Sequence, residues 1–337
     1  MHQVPVRLKL MKKLFIKILK YTCSPIMRFF RKFLNPLYKK VEDLEITALS
    51  IEDKVSKILD KLDESGNTFD SLEIRQKNLA FALKLFLDHE NYSRINLDGL
   101  RSSQSYLDAY NLNHNPIISV VITTHTAPDV LFERTIPSIL SQSWRHIELI
   151  LVVDSLDPEI VQRVKNFTNE FNDTRIKVHS AGLKLEILSD RKTNWRNSGS
   201  FGTNNGLSQA TGQWIAMFAH DDELIEGSLE SLVKYSIDSK LDFCYSKFNM
   251  IVNELTFTYG SYPPVLGQFN IQGSLINSTF KNILHHQYDS LCDIPNDWGY
   301  LLRIHNLGLK IGFLNRTTVN FYPSTADEIY ETYRINN

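Results

Sequence analysis

Short apolar runs alternate with helical stretches between residues 117 and 218, and this alternation constrains the fold more than any other feature. The runs at residues 117–123, 147–153 and 214–218 are rich in β-branched and other apolar residues, as is typical of strands buried on both faces. Helices between such strands require right-handed crossovers and produce a mostly parallel sheet. The sequence therefore predicts an α/β fold with its ligand site at the carboxyl ends of the strands. Further elements are predicted as helices over residues 131–143, 158–171 and 224–235 and a strand over 175–179.

The first 40 residues differ in charge from the rest of the chain. They contain eleven Lys or Arg and no Asp or Glu, so the remaining 297 residues carry a net charge of −12, although all 337 sum to −1. From residue 8 to residue 20, apolar and basic side chains fall on opposite sides of a helical wheel. This pattern is typical of helices that lie on anionic membranes. A solvated face on a helix packed against the folded domain, or a flexible basic tail, would give the same pattern.

Composition excludes several other classes of protein. No run approaches the roughly 18 apolar residues needed to span a bilayer. Three scattered cysteines are too few for a disulfide framework or a structural zinc site, and they fit a reducing compartment. Basic residues are concentrated in the amino-terminal segment, which argues against nucleic-acid binding. The sequence predicts a cytoplasmic protein peripheral to the inner face of the membrane, with residues 1–40 as the membrane-surface segment.

Residues 41–110 form a predicted helical region. Apolar or small residues recur in alternating steps of four and three at Leu37, Val41, Leu44, Ala48, Ile51, Val55, Ile58 and Leu62. Such a heptad seam is typical of coiled coils, so the pattern favours a homo-oligomer and an ordinary amphipathic helix equally. Beyond it we predict a helix over residues 70–89, a linker over 101–115, the main folded domain over 116–325 and a tail over 326–337.

Polar side chains follow three of the predicted strands. Thr124 and His125 follow the first strand, Asp154 follows the second, and the pair Asp221 and Asp222 follows the strand at 214–218. Carboxylates at a sheet edge offer a hard cation oxygen ligands while leaving it several waters. The acidic pair would serve equally well to cap the helix predicted at 224–235.

The order of these motifs resembles a known family. Residues 118–322 look like a family 2 glycosyltransferase of the GT-A type, a Rossmann-like, mostly parallel sheet flanked by helices, here preceded by a helical amino-terminal extension. The matching segments run in the family's order at residues 119–126, 138–142, 148–155, 204–206, 210–215 and 220–224. The last of these, His-Asp-Asp-Glu-Leu, is similar to the form in transferases that build bacterial surface polysaccharides.

The resemblance implies roles for individual residues. Thr124, His125 and Asp154 would line the nucleoside pocket of the donor, and Asn204 and Asp222 would also bind the donor. Asp221 would coordinate Mg²⁺ or Mn²⁺ between the two phosphates of a nucleotide-diphosphate sugar, with UDP- or dTDP-linked sugars expected. The acceptor would be a hydroxyl of a glycan or a lipid-linked glycan.

The segment at residues 295–303 supplies the implied base. It resembles the family's acidic pair followed by Trp and an amphipathic helix, which puts Asp297 at the position that deprotonates the acceptor, for an inverting transfer. Asp297 also fits a helix N-cap, because apolar residues follow it at helical spacing. Trp298 and Tyr300 fit either stacking on the acceptor sugar or a place in the core.

The sequence departs from the family pattern at the metal motif, where Ala219 replaces the first acid. That departure keeps an alternative open, namely a catalytically impaired homologue that binds nucleotide sugars and acts as a membrane scaffold or partner subunit. A nucleotidyltransferase is disfavoured because no Gly-rich phosphate loop with a following Lys comes after the first strand.

The basic segment gives a first testable prediction. Deleting residues 1–40 should release the protein from anionic liposomes, because the eleven cations and the apolar helix face are removed together. Cosedimentation with vesicles of phosphatidylserine and phosphatidylcholine measures the change, and neutral vesicles serve as the control. Equal cosedimentation of the full-length and deleted chains would reject this anchoring role.

Overall fold

The computed structural model describes residues 68–92, 95–181, 196–292 and 294–323. The predicted membrane-surface segment, the heptad seam at 37–62 and the tail at 326–337 lie outside these residues. The chain divides into two compact units, Met1–Gln76 and Lys77–Asn337. The contacts described below lie within the second unit.

The helices and strands alternate through most of the described residues. The α-helices are α1 (Thr68–Tyr92), α2 (Leu97–Arg101), α3 (Gln104–Asp108), α4 (Ile136–Leu140, preceded by a π-helical turn at Leu131–Thr135), α5 (Pro158–Glu170), α6 (Ser200–Gln209), α7 (Ser228–Asp238) and α8 (Asn296–Asn306). The strands are β1 (Ile118–Thr124), β2 (Ile147–Val153), β3 (Ile176–Ser180), β4 (Trp214–Ala219), β5 (Glu223–Leu224), β6 (Phe243–Val252), β7 (Leu255–Tyr259), β8 (Ser274–Asn277) and β9 (Ile311–Phe321).

The strands form one mixed sheet in the order β3-β2-β1-β4-β8-β6-β9-β5, with β7 paired to β6. The predicted parallel arrangement holds for β3, β2, β1 and β4, and every residue of β2 is buried. The other half is less parallel than predicted, because β8 runs antiparallel to both of its neighbours. The two-residue turn Asn253–Glu254 likewise forces β6 and β7 to be antiparallel, since so short a loop cannot make a crossover.

Helix α6 lies unusually close to β1. A Cβ atom at Gly202 would come within 2.1 Å of Cγ2 of Thr123, and one at Gly206 within 2.3 Å of Cγ1 of Val121. Glycine at both positions therefore lets the helix backbone pack directly on the strand. The close packing fixes the first turns of α6 beside the carboxyl end of β1.

The helix predicted at 224–235 begins later than expected. Residues Glu223–Leu224 form β5, which pairs with β9, and α7 starts only at Ser228. Gly227, at φ +72°, lies in the left-handed region and separates the strand from the helix. The prediction is therefore wrong for residues 224–227, the first third of the predicted helix.

The predicted linker at residues 101–115 is also wrong. Tyr106 and Ala109 are buried, and the Trp214 indole donates a hydrogen bond to the carbonyl oxygen of Ala109 at 2.8 Å. The carboxylate of Asp242 accepts hydrogen bonds from Arg101 at 2.5 Å and from the Tyr106 hydroxyl at 2.7 Å. This polar-looking segment is part of the folded domain because its aromatic and basic side chains find buried partners.

Glu148, on β2, links β1, β3 and the turn before β4 near the amino-terminal ends of these strands. Its carboxylate accepts hydrogen bonds from Ser119 on β1 at 2.6 Å, from Lys177 on β3 at 2.5 Å and from the Thr211 backbone at 2.7 Å. Burial alone would raise the pKa of this carboxyl. The hydrogen bonds from Lys177, Ser119 and Thr211 outweigh burial and lower the pKa to about 2.

Replacing this carboxylate should destabilise the fold in a pH-dependent way. Glu148→Gln should lower the free energy of unfolding by about 2 kcal/mol at pH 7, because a charged acceptor of several buried donors is lost. Since folding lowers the pKa from 4.5, the loss should be complete above pH 4.5 and shrink as the pH falls towards 2.

Urea unfolding at pH 7, 5 and 4 measures the difference. Glu170→Gln is the matched control, because Glu170 is exposed on α5, and it should change stability by less than about 0.5 kcal/mol. A pH-independent loss in Glu148→Gln would contradict the assigned role.

Candidate functional site

The carboxyl ends of β1, β2 and β4 meet at one edge of the sheet. In the parallel register, Thr124 pairs with Val153 and Thr123 pairs with Ala219. The residues that follow these strands are therefore neighbours. The backbone N–H of Asp154 donates to the carbonyl oxygen of Thr124 at 2.8 Å, and the Asp154 side chain is buried.

The two histidines at this edge also lie together. The His125 and His220 rings have centroids 5.6 Å apart, and Nδ1 of His220 lies 3.2 Å from the carbonyl oxygen of Thr123. His125 is exposed and His220 is half-buried. The edge thus presents one accessible imidazole next to the acidic turn that follows β4.

Thr124 shapes the loop that carries His125. Its hydroxyl oxygen accepts a hydrogen bond from the backbone N–H of Ala127 at 3.0 Å, and Ala127 has φ +50°. The Thr124 side chain is fully buried. Its observed contacts are therefore with the loop, while its contact with a donor stays a prediction.

The acidic turn at residues 220–222 is held by the π-helical turn before α4. The Thr135 hydroxyl lies 2.7 Å from the carbonyl oxygen of Asp222 and 3.1 Å from that of His220. Arg134 donates to the intervening carbonyl oxygen of Asp221. Three successive carbonyl groups are thereby tied to two neighbouring residues, which fixes the direction of the turn.

Tyr322, the residue after β9, also holds the acidic turn in place. The backbone N–H of Tyr322 donates to Oδ1 of Asp222 at 2.8 Å, and the Tyr322 hydroxyl donates to Glu223 at 3.1 Å. The Arg134 guanidinium lies over the Tyr322 ring, 3.8 Å from its centroid. No sequence pattern indicates the contact between Arg134 and Tyr322, because the two residues are far apart in the chain and belong to no shared motif.

The carboxylates of Asp221 and Asp222 differ in their surroundings. Asp222 is fully buried and bound by Tyr322, whereas Asp221 is half-buried and its carboxylate accepts no hydrogen bond from the described residues. Neither carboxylate caps the following helix, because Gly227 holds the N-cap position of α7. The capping alternative for this acidic pair is therefore wrong.

The donor set at this turn fits a cation shared with a phosphate ligand. Among the described residues, no three His, Cys, Asp or Glu side chains converge as a metal site would require. Mg²⁺ in phosphate-binding enzymes is held by one or two carboxylates, with substrate phosphates and waters completing its shell. Asp221 suits that arrangement because its oxygens are not already engaged.

Asn204 makes structural contacts on both sides of its amide. Its Nδ2 donates to the carbonyl oxygen of His285 at 2.7 Å, and its Oδ1 accepts from the His285 backbone N–H at 2.9 Å. These bonds anchor the segment at His285 to α6. The role of Asn204 in donor binding stays a prediction beside this observed one.

The amino terminus of α8 is attached to the amino terminus of α6. Nδ2 of Asn296 donates to Oγ of Ser200 at 2.8 Å and to the carbonyl oxygen of Ser198 at 2.9 Å. Because Gly202 packs on Thr123, the first turns of α6 connect Asn296 to the carboxyl end of β1. The neighbouring Asp297 is therefore linked to the same edge that carries the acidic turn.

Asp297 is the second residue of α8 and not its N-cap, which is Pro295. Its Oδ1 accepts a hydrogen bond from the Trp298 backbone N–H at 2.7 Å. Burial raises the pKa of Asp297 to about 6, against the lowering effect of the backbone N–H of Trp298 and with a small further increase from Asp289. A carboxyl with this pKa is ionised at neutral pH yet basic enough to accept a proton.

A buried ion cluster holds α8 in place. Nη1 of Arg303 lies 2.8 and 2.9 Å from the two oxygens of Asp289, and Nζ of Lys84 on α1 lies 3.2 Å from the same carboxylate. Gly299 is required here, since a Cβ atom would meet the Asp289 carboxylate at 2.3 Å. The cluster has no sequence signature, because its members come from three separate segments of the chain.

The aromatic residues of α8 belong mainly to the core. Tyr300 is fully buried, and its ring stacks on His285 with centroids 4.4 Å apart. Trp298 is half-buried and contacts Phe269 edge-on at 6.4 Å. Stacking of Tyr300 on an acceptor sugar is therefore excluded by its burial, and its alternative place in the core is the observed one.

Comparison with known families identifies this edge as part of a defined domain. The model described as glycosyl transferase family 2 matches residues 119–292, which include β1, β2, the acidic turn and α6. The chain belongs to glycosyl transferase family 2. This family 2 domain, with the sheet described above, confirms both the predicted family and the GT-A type α/β fold class.

Curated relatives of this family 2 chain include enzymes of bacterial glycan synthesis. A Campylobacter jejuni protein named GalNAc(5)-diNAcBac-PP-undecaprenol beta-1,3-glucosyltransferase is 30% identical over 119 residues, 35% of this chain and 34% of that protein. A putative teichuronic acid biosynthesis glycosyltransferase of Bacillus subtilis is 23% identical over 145 residues, 43% of this chain and 51% of that protein. The matches thus span only about a third to a half of these relatives.

Solved structures give a weaker match to this glycosyltransferase chain. The crystal structure of S. aureus TarS 1–349 in complex with UDP-GlcNAc has 16% sequence identity and a TM-score of 0.47, and the alignment covers 64% of each chain. Separately, none of the helices in the described residues is both long and apolar enough to span a bilayer.

The clamp on the acidic turn gives a prediction. Arg134→Lys should increase amide hydrogen exchange in residues 219–224 roughly 5-fold, because a lysine cannot lie flat on Tyr322 while reaching the Asp221 carbonyl. Exchange mass spectrometry measures it. The matched control is Arg163→Lys, since Arg163 lies over Phe167 on the exposed side of α5. Unchanged exchange in Arg134→Lys would show that Arg134 does not hold the turn.

Proposed function

We propose that this chain is a metal-dependent, inverting hexosyltransferase. It transfers a sugar from a nucleotide-diphosphate donor, UDP- or dTDP-linked, to a hydroxyl of a glycan or lipid-linked acceptor in surface-polysaccharide synthesis. The observation that carries the proposal is the Asp221–Asp222 turn, clamped at the carboxyl edge of β1, β2 and β4 beside His125 and Asp154. An edge of this kind is where α/β sheets bind nucleotides.

The donor would lie across this edge. The buried carboxylate of Asp154 and the exposed His125 ring suit a nucleoside, and the carboxylate oxygens of Asp221 suit a hydrated cation next to the phosphates. When bound, Mg²⁺ or Mn²⁺ supplies positive charge that stabilises the leaving diphosphate. Arg134, Thr135 and Tyr322 contribute by keeping the turn rigid, so that little reorganisation is needed when the donor binds.

Asp297 would act on the acceptor. Its raised pKa favours proton acceptance from a hydroxyl as the oxygen attacks the anomeric carbon. The bond from Asn296 to Ser200 and the Asp289–Arg303 pair position α8 for this task. A single attack from the side opposite the leaving group inverts the anomeric configuration.

Relatives support the acceptor class and the place of action. The Campylobacter protein is named for a substrate linked through a diphosphate to undecaprenol, and a membrane-bound acceptor of that kind agrees with a basic, amphipathic amino terminus. A cytoplasmic position at the inner face of the membrane and a homo-oligomer remain predictions from residues 1–62.

The proposed role of Asp297 as the base predicts a lower transfer rate with unchanged donor affinity. Asp297→Asn should lower the transfer rate by roughly 10²- to 10⁴-fold and leave the dissociation constant of the donor within about 2-fold, because an amide cannot accept the proton. In the unaltered enzyme kcat/KM should fall tenfold per pH unit below about pH 6, as the carboxylate that must be ionised becomes protonated. Asp238→Asn, at an exposed position on α7, is the control. Full activity of Asp297→Asn would remove Asp297 from the mechanism.

The proposed role of Asp221 in binding the cation predicts a loss of donor affinity, in contrast to Asp297→Asn. Asp221→Asn should weaken Mn²⁺-dependent donor binding at least about tenfold, since the carboxylate that suits the ion is lost. Thermal shift titrations with UDP- and dTDP-sugars, with Mn²⁺ or with EDTA, measure binding. Equal stabilisation by donor in Mn²⁺ and in EDTA would contradict the role of Asp221.

A scaffold without turnover is the alternative, and Ala219 at the first-acid position favours it. Such a protein would be stabilised by the donor without hydrolysing or transferring the sugar. Measurable transfer or metal-dependent donor hydrolysis by the purified chain would exclude the scaffold, and donor binding with no turnover on any acceptor would support it.

A further inference from the structure

A row of polar side chains crosses four neighbouring strands next to the acidic turn. Thr258 on β7 lies opposite Asn249 on β6, and Asn249 lies opposite Asn320 on β9. Glu223 on β5 is the next neighbour of Asn320. Because neighbouring strands lie about 4.8 Å apart, these four residues, the polar row, form a line about 14 Å long across the sheet.

Hydrogen bonds connect every member of the polar row to the next. The Thr258 hydroxyl donates to Oδ1 of Asn249 at 2.8 Å, and Nδ2 of Asn249 donates to Oδ1 of Asn320 at 3.0 Å. Nδ2 of Asn320 donates to Oε2 of Glu223 at 2.9 Å, and the Tyr322 hydroxyl donates to the same oxygen at 3.1 Å. Side chains that are already fixed in this way lose little further freedom when a ligand binds.

The polar row keeps hydrogen-bonding capacity for a ligand. Each asparagine amide nitrogen carries two N–H donors, and the bonds within the row use one of them. Oε1 of Glu223 accepts no hydrogen bond from the residues that the structure describes, since both bonds to this carboxylate end on Oε2. Asn249, Asn320 and Glu223 are half-buried, so a ligand can reach them. Amide donors beside a carboxylate acceptor suit hydroxyl groups, which both donate and accept.

The polar row lies on the face of the sheet that carries α8. The apolar residues next to the row in the sequence, Leu224, Phe248 and Val319, belong to the core that includes α4, α5 and α7. Because side chains alternate along a strand, the members of the row point to the opposite face. On that face, Tyr245 of β6 belongs to the same core as Tyr300 of α8. The row is therefore on the side of the sheet where α8 begins with the proposed base.

One end of the polar row adjoins the acidic turn. Glu223 is two residues from Asp221 in the sequence, and Tyr322 binds both Asp222 and Glu223. A ligand that lies along the row would reach the proposed cation site at one end and β7 at the other. A line of about 14 Å is longer than one sugar ring, and the donor carries only one transferred sugar. The length of the row therefore favours a chain of sugars.

We propose that the polar row binds the hydroxyl groups of an acceptor oligosaccharide and holds its terminal sugar at the acidic turn. This inference rests on the proposed transferase function and gives its acceptor a binding site. The amides of Asn249 and Asn320 would donate to sugar oxygens, and Glu223 would accept from a sugar hydroxyl. A site built to hydrogen-bond hydroxyl groups discriminates strongly against ligands that lack them.

Side-chain amide signals in nuclear magnetic resonance spectra of the ¹⁵N-labelled full chain test the proposal. The probes are cellotetraose, maltotetraose and chitotetraose, each added to about 10 mM. At least one of them should shift the amide signals of Asn249 and Asn320, with a dissociation constant of about 1 mM or lower. The absence of a shift in these two signals with all three probes would overturn the proposal.

Two matched substitutions on β7 separate the polar row from general contact with sugars. Thr258→Val removes the hydroxyl that holds Asn249 and should raise the dissociation constant of the oligosaccharide roughly 3-fold. Thr256→Val should leave it unchanged, because Thr256 is exposed on the same face of β7 but lies outside the row. Equal affinities of these two variants would contradict the role of the row.

A variant in the middle of the row should have a larger effect. Asn320→Leu removes both hydrogen bonds of this amide and should weaken oligosaccharide binding at least about tenfold. Thermal unfolding checks that the variant is folded. Since Thr258 and Thr256 are both exposed, the comparison of the two threonine variants decides the matter if Asn320→Leu does not fold. Unchanged binding by folded Asn320→Leu would overturn the proposal.

UDP-GlcNAc with Mn²⁺ distinguishes an acceptor site from a site for the donor sugar. It should leave the amide signal of Asn249 in place, because Asn249 is separated from Glu223 by two strand spacings, about 10 Å. A shift of this signal by UDP-GlcNAc and by none of the oligosaccharides would assign the row to the donor and overturn the proposal. Oligosaccharide binding at the row without turnover of any donor would support the row and reject the transferase. Turnover without oligosaccharide binding at the row would reject the row alone.

Discussion

Parallel pairing of β1 with β2 on one side and β4 on the other is the constraint on which the candidate site depends. The register brings the residues after three strands to one edge, so that Asp154, His125 and the 220–222 turn become neighbours although the sequence separates them by up to about 100 positions. A shift of register would separate these groups. Glu148 opposes such a shift, because its carboxylate binds β1, β3 and the turn before β4 at the opposite end of the same strands.

Two further contacts attach helices α6 and α8 to this edge and so complete the candidate site. Glycines on α6 let that helix lie against β1, and Asn296 ties the start of α8 to the start of α6, which brings Asp297 towards the edge. Arg134 and Tyr322, which are far apart in the sequence but in contact in the fold, then hold the acidic turn. The site is thus assembled from rigid elements, with the carboxylates of Asp221 and Asp297 differing sharply in their surroundings.

The first half of the domain could be predicted from sequence because buried parallel strands leave continuous apolar runs, and polar residues at their ends stand out. β2 was predicted to the residue. The second half could not, since β8 and β9 lack that pattern and pair by long-range contacts. The clamp of Arg134 on Tyr322 and the Asp289–Arg303 pair escaped prediction because such contacts join distant segments with no fixed spacing. Asn204 was recognised by its motif, but its hydrogen bonds to His285 could be seen only in the structure.

In the proposed enzyme, one sheet edge holds the donor phosphates beside Asp221, and the Asp297 carboxylate faces the same cavity. A crystal structure of the chain with Mn²⁺ and a nucleoside diphosphate tests this most directly, using the anomalous signal of manganese. We expect the manganese peak within coordination distance of the Asp221 carboxylate, the nucleoside beside Asp154, and the Asp297 carboxylate open to the cavity that contains the phosphates. Manganese and nucleotide bound elsewhere, or Asp297 on a separate surface, would contradict it.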